Sequence, residues 1–272
     1  MTGPLITARG VVKTFGGRRW FGGAAGAKRA VDGVDLDINA GETLAIVGES
    51  GSGKSTLARM LLGLMPASAG DVSFEGRSLA GFTAADRAAF RKAVQPIFQD
   101  PASSLNPRMR VHTTLANVLL RHRLATRATL DGAITELLEA VGLDAGQFHD
   151  RYPHQLSGGQ QQRVAIARAM AVRPRLIIAD EPLSSLDMSV QAQVVDLLRD
   201  LQRRHGLAYL FISHDLKVVK ALANEVVVMR GGKVVEHGPS QAIFSAPQTD
   251  YTRALIAAAF SIETAPEGVV SQ

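Results

Sequence analysis

The sequence predicts an α/β fold: a mixed sheet with a parallel core and an antiparallel β edge, interrupted by an inserted α-helical segment. Three observations point there. Short apolar runs at 43–47, 176–179, 209–212 and 226–229 have the length of strands buried on both faces. Helical stretches alternate with them, as they do when parallel strands are joined by crossovers. Between about 101 and 153 the chain turns helical and shows few strand signals.

The elements follow in chain order. Val34, Leu36 and Ile38 alternate with Asp35 and Asp37, a period of two with one buried face. Glycines between Gly16 and Gly26 mark a loop or wide hairpin that also carries Trp20 and Phe21. The run 43–47 is followed by a glycine-rich turn and then a helix over 55–64. Within the insertion, 129–141 reads as a helix. Gly231-Gly232, between Arg230 and Lys233, predicts a hairpin at the sheet edge.

Composition bounds the function. A chain of 272 residues can bury a substantial core without disulfide or metal staples. With 46% apolar and 20% charged residues it reads as globular. It has no cysteine, which excludes a disulfide framework, a thiolate zinc site, a cysteine-ligated iron–sulfur cluster and a cysteine nucleophile. The net charge of +5 permits contact with phosphate, nucleic acid or anionic lipid and establishes none of them. No stretch approaches the roughly 18 apolar residues of a spanning helix, and the start of the chain lacks a signal-peptide pattern. The expected location is cytosolic, with any membrane reached through partners.

Gly48-Glu49-Ser50-Gly51-Ser52-Gly53-Lys54-Ser55 matches the phosphate-loop pattern throughout and sits between a buried strand and a helix. Its backbone N–H groups can turn inward on phosphate oxygens, aided by the N-terminal end of the helix dipole. Lys54 is expected at the β- and γ-phosphates, the Ser55 hydroxyl on Mg²⁺, and Thr56 beside them. The motif specifies a nucleoside triphosphate and leaves its use open.

Asp180 and Glu181 end the run 176–179. Adjacent strand residues point to opposite faces, so the two acids can take separate tasks. Asp180 suits a Mg²⁺ ion held through its water shell, and Glu181 suits a general base on the attacking water. Upstream, Leu156-Ser157-Gly158-Gly159-Gln160 opens another helix. Ser157 is a good N-cap, and two glycines are expected to leave first-turn N–H groups uncovered, a second anion site. One nucleotide needs one phosphate loop, so this second site points to a nucleotide held by another subunit.

With these motifs the chain resembles the ABC-type ATPase family, whose signature is LSGGQ ahead of an aspartate–glutamate strand. The resemblance covers nearly the whole chain and implies further roles. Gln99 matches the Q-loop glutamine, which senses Mg²⁺ and touches the membrane partner. Asp187, in Ser184-Ser185-Leu186-Asp187, matches the D-loop, although the family more often has alanine at the place of Ser185. His214 matches the switch histidine at the γ-phosphate. Phe15 stands where the family stacks an aromatic on adenine, with Trp20 and Phe21 as competitors. The implied fold is one ABC ATPase domain over 1–272. Its RecA-like P-loop NTPase core covers 1–99 and 166–240, a helical subdomain covers 100–165, and a C-terminal tail covers 241–272.

Segments 100–109, 151–155 and 189–193 resemble ATPases of oligopeptide, dipeptide and nickel importers, in the form of the second of two paired ATPase subunits. The tail 247–255 is similar to that group's C-terminal motif, although the usual His-Pro is replaced by Thr249-Asp250. The resemblance implies ATP and Mg²⁺ as ligands and hydrolysis that powers solute import. The implied partners are two permease subunits, a second ATPase subunit (a sister chain or another copy) and an extracytoplasmic solute-binding protein. The implied place is the cytoplasmic face of the membrane. Peptide is the expected cargo, with nickel, glutathione and opines left open.

A nucleic-acid-associated ATPase of the repair or chromosome-maintenance type shares the signature. Such chains split their halves with a long coiled coil or zinc-binding insertions. Here the stretch from Gln99 to Leu156 is short, has no sustained heptads and contains no cysteine, so no nucleic-acid partner is expected. A regulatory subunit with decayed sites is disfavoured because every catalytic motif is intact.

Overall fold

The computed structural model describes residues 3–16 and 28–260. Strand β1 (Ile6–Phe15) pairs antiparallel with β2 (Lys28–Ile38). Strand β3 (Thr43–Val47) leads through the glycine-rich turn into helix α1 (Lys54–Leu61). That helix stops sooner than the apolar pattern suggests, because the chain turns at Gly63, whose N–H bonds Met60 O at 2.9 Å. Then come β4 (Ala69–Phe74), β5 (Arg77–Ser78), α2 (Ala84–Ala93) and β6 (Val94–Ile97). Helices α3 (Pro101–Ser104), α4 (Val111–Arg121), α5 (Leu130–Ala140), α6 (Ala145–Phe148) and α7 (Gly158–Met170) fill the middle of the chain. The last third alternates: β7 (Leu176–Asp180), α8 (Met188–His205), β8 (Ala208–Ile212), α9 (Leu216–Leu222), β9 (Glu225–Arg230), β10 (Lys233–Pro239), α10 (Ser240–Ser245) and α11 (Asp250–Phe260).

Six strands form one sheet in the order β10-β9-β3-β8-β7-β6. All its pairings are parallel except β10 on β9, the hairpin expected at Gly231-Gly232. A second, antiparallel sheet has the order β2-β1-β4-β5. The expected α/β class with an antiparallel edge is what the chain adopts. The composition of β4 hid it from the sequence pattern: it opens Ala-Gly-Asp and buries only its last residues, Val72 and Phe74. Helix α2 is capped by Thr83 and Asp86 in a reciprocal capping box and buries only Phe90 of its ten residues. That leaves almost no apolar periodicity to read.

Side-chain alternation divides the core. In β3, Leu44 and Ile46 join the cluster beneath the antiparallel sheet and α1, while Ala45 and Val47 pack with Leu216, Val219 and Ile243. In β7, Leu176 and Ile178 face the α1 side, whereas Ile177 and Ala179 face Val164, Leu198 and the helices of the middle segment. Both faces are covered, which is why these strands read as unbroken apolar runs. Burial of each leucine, isoleucine or valine among them contributes about 1.5–3 kcal/mol. The same parity places Asp180, two residues after Ile178, on the α1 side.

Candidate nucleotide-binding site

The phosphate loop is held by its neighbours as well as by its own sequence. Gly48 and Gly53 have φ of 143° and 106°, a region that side chains rarely adopt. A Cβ at Gly48 would lie 2.1 Å from Met229 O in β9, and one at Gly53 would lie 2.2 Å from Ala30 O in β2. Two of the motif's glycines are therefore required by strands far away in sequence. The Ser52 carbonyl accepts from Gly232 N at 3.0 Å, which ties the loop to the β9–β10 turn.

Lys54 is buried, and its ammonium donates to Gly48 O and Glu49 O, both at 2.8 Å. Burial holds its pKa below the usual lysine range, against the opposing charges of Glu181, Asp180 and Glu49. Ser55 Oγ donates to Asp180 Oδ1 at 3.0 Å, the contact that strand parity anticipates. Burial raises the Asp180 pKa, and Glu181 adds to the rise, while the Ser55 hydrogen bond and the charges of Arg59 and Lys54 oppose it. A hydroxyl and a carboxylate side by side, next to a phosphate loop, are the oxygen donors that Mg²⁺ prefers. The residues present fit that ion.

Glu181 follows β7 with φ of 49°, a left-handed backbone that costs a non-glycine residue roughly 1–2 kcal/mol. Its N–H is fixed by Ile212 O at 2.9 Å, at the end of β8. The turn carries the side chain toward two others. Gln99 Nε2 donates to Glu181 Oε2 at 3.2 Å, and His214 Nδ1 lies 3.4 Å from the same oxygen. Gln99 follows β6, Glu181 follows β7 and His214 follows β8. These three strands are adjacent and parallel, so their C-terminal ends open on one edge.

A cleft of about 360 Å³ lies over this edge, lined by Phe15, Lys28, Ala30, Ser50, Gly51, Gly53, Lys54, Ser55, Thr56 and Glu181. Phe15 is 45% exposed and lines the cleft, with Lys13 Nζ over one face of its ring, 5.6 Å from the centre. The competing aromatics Trp20 and Phe21 lie outside the described residues.

The signature residues do not line this cleft. Ser157 Oγ accepts from Gln160 N at 3.3 Å, and Gln160 Oε1 accepts from Ser157 N at 2.9 Å, a capping box that opens α7. The two glycines differ in their surroundings. Gly158 is exposed, but Gly159 is buried, and a Cβ there would lie 2.4 Å from Val190 Cγ1. Leu156 is buried as an anchor. Asp187 caps α8, accepting from Val190 N at 3.0 Å and Ser189 Oγ at 2.7 Å. Those bonds hold its carboxyl below the usual range. Signature and D-loop thus pack together, Gly158 against Leu186 and Gly159 against Val190, and neither lines the cleft of the same chain.

Tyr251 is a contact that motif reading missed. Glu49 N donates to Tyr251 Oη at 3.2 Å, and the Arg230 guanidinium lies 4.7 Å from the centre of its ring. The helix that carries it, α11, is preceded by Thr249, whose N–H and hydroxyl both bond the Glu236 carboxylate of β10. Spacing in the sequence gives no signal for this link, since some two hundred residues separate Tyr251 from Glu49.

The ABC transporter family profile matches residues 31–184, more than half of the chain. The chain is 54% identical over 261 residues to the peptidoglycan transport ATP-binding protein YejF of Agrobacterium fabrum, covering 93% of itself but 47% of that protein. It thus spans about half the length of that relative. It is 44% identical to the oligopeptide transport ATP-binding protein OppF of Streptococcus mutans, covering 93% of itself and 81% of that protein. Among solved structures it is similar to a dimeric ATP-binding cassette in a post-hydrolysis state with bound ADP and Pi. That match has a TM-score of 0.73 at 28% identity and covers 86% of this chain and 98% of the other.

Proposed function

The chain belongs to the ABC transporter family, and on that premise we propose that it is the ATP-hydrolysing subunit of an importer for peptides or peptide-like solutes. The observation that carries the reading is the convergence of Gln99 and His214 on one carboxylate oxygen of Glu181, beside the cleft that holds Lys54 and Ser55. The cargo class rests on the names of the relatives, which transport peptidoglycan and oligopeptides.

In this reading ATP lies in the cleft with adenine against Phe15 and its phosphates on residues 48–56. Lys54 leaves the loop carbonyls for the β- and γ-phosphates, which offer a negative partner for its buried charge. Ser55 and Asp180, with Gln99 nearby, would hold Mg²⁺, which when bound supplies charge neutralisation on the phosphates. Glu181 accepts the proton of the attacking water, and His214 and Gln99 fix that carboxylate in place. Phosphoryl transfer needs placement and charge more than covalent help, and this arrangement offers both.

Ser157 and Gly158 are exposed and do not line the cleft of their own loop, so they serve a nucleotide on a partner ATPase subunit, and Asp187 follows Leu186, which packs against Gly158. The segment over 100–165 and Gln99 then face two permease subunits. Among the described residues no helix is long and apolar enough to cross a membrane, so attachment to the cytoplasmic face runs through those permeases. An extracytoplasmic binding protein would supply the solute.

Purification of the tagged chain from detergent-solubilised membranes of its native host tests this. Integral membrane subunits should co-purify and ATP hydrolysis should respond to peptide. A chain that brings down no membrane subunit and hydrolyses ATP in response to DNA would overturn the reading.

Tyr251→Phe tests how the tail acts on the loop. Loss of one hydrogen bond, worth about 1 kcal/mol, is expected to raise KM for ATP by about fivefold while kcat holds. Steady-state kinetics of the variant check this, and an unchanged KM would show that Tyr251 does not brace the loop.

A further inference from the structure

Among the described residues, one cluster of ligand-type side chains lies well outside the nucleotide cleft. His112, Asp131 and His149 each offer one donor atom, and these atoms all lie within 4.8 Å of one another. They come from three places in the helical segment: the first turn of α4, the first turn of α5 and the residue after α6.

The two histidines are held together by main chain. Val111 N donates to Arg151 O at 2.9 Å, and His112 N donates to His149 O at 3.0 Å. Their rings lie 4.2 Å apart, centre to centre, at an angle of 41°. His112 Nε2 lies 3.1 Å from Asp131 Oδ1. Around a tetrahedral ion with bonds of about 2.0–2.1 Å, neighbouring donors stand ~3.4 Å apart, so one edge of such a site already exists.

A second carboxylate supports the first set. Asp150 Oδ1 lies 3.8 Å from His149 Nδ1 and is anchored by Arg110 Nη1 at 2.8 Å. At 3.8 Å this carboxylate is too far to hydrogen-bond the ring, but it adds negative charge beside the cluster, which favours a cation there. Two imidazoles and one carboxylate suit a borderline ion and leave a fourth position for water. The histidines are only partly exposed, at 26% and 32%, while Asp131 is 84% exposed and free to swing in.

We propose that His112, Asp131 and His149 form a site for a zinc-class divalent cation. Such an ion would clamp the start of α4 and the first turn of α5 to residues 149–151. That strand of chain runs directly into Tyr152 and the signature at 156–160, so the clamp would brace the approach to Ser157. The site is separate from the Mg²⁺ donors Ser55 and Asp180 and does not depend on the proposed transport role.

The full chain, stripped with EDTA and dialysed, should be titrated with ZnCl₂ by calorimetry and with Co²⁺ by visible absorption. The expected result is a Zn²⁺ equivalent that raises the melting temperature by a few degrees, together with a Co²⁺ spectrum of tetrahedral intensity. His112→Gln and His149→Gln should each lose that equivalent. Asp131→Asn, at an exposed position that leaves folding intact, should weaken it by at least ~10-fold. Absence of zinc binding by the parent, or equal binding by all three variants, would overturn the proposal. A weak octahedral Co²⁺ spectrum common to parent and variants would do the same.

Discussion

Glu181→Gln is expected to cut ATP turnover by about 10²–10⁴-fold, the usual worth of a positioned general base. The substitution keeps the shape of the side chain and the left-handed backbone at φ of 49°, so folding strain is unaltered. An amide can still meet Gln99 and His214 but cannot take a proton from water. Lys54, Ser55 and the loop N–H groups are untouched, so ATP binding should persist. Hydrolysis would then fail to reopen the pair, and a nucleotide-bound dimer should accumulate. Single-turnover hydrolysis together with size-exclusion chromatography in ATP reads both effects. Turnover at the parent rate would remove Glu181 from the role of base.

Lys54→Ala should lower ATP affinity by about 10–100-fold. The ammonium is the one buried cation of the loop, and a charge-assisted hydrogen bond to phosphate contributes about 1.5–3 kcal/mol. Stability should change little, because two effects oppose each other. The alanine abandons the bonds to Gly48 O and Glu49 O, yet it also removes a charge that burial already disfavours. Equilibrium binding of a fluorescent ATP analogue, with thermal melting as the control for folding, checks both parts. Unchanged affinity would count against the phosphate-loop assignment. Together the two variants separate binding from chemistry: Lys54→Ala acts on the first, and Glu181→Gln acts on the second.

The phosphate loop was legible because its chemistry demands consecutive backbone N–H groups, so eight adjacent residues carry the whole signal. The buried strands were legible because both faces of β3, β7, β8 and β9 are covered, which leaves unbroken apolar runs. The capping residues Ser157 and Gln160 are local by nature, since a cap reaches only a few residues. Harder to read were elements with thin apolar patterns. Strand β4 and helix α2 owe their place to packing by Val72, Phe74 and Phe90 rather than to periodicity.

Gly159 shows a limit of a different kind. As part of a motif it suggests an open anion site, but its missing side chain also makes room for Val190 of α8. Gly48 and Gly53 are similar, since Met229 and Ala30 press on them from other strands. A motif records which residue is needed and conceals which neighbour needs it.

By itself the sequence determined the inventory: a phosphate loop, an acid pair closing a buried strand, a second anion-type helix start and an α/β frame. The tertiary structure alone decided which of these meet. Strand order set β6, β7 and β8 side by side and parallel, so Gln99, Glu181 and His214, spread over more than a hundred residues, reach one oxygen atom. The same folding left Ser157 out of the cleft lining and brought Tyr251 to Glu49. The reason is physical: backbone conformation and capping are short-range and leave their mark in adjacent residues. Convergence of side chains depends on how strands are ordered and packed, and no local pattern encodes that.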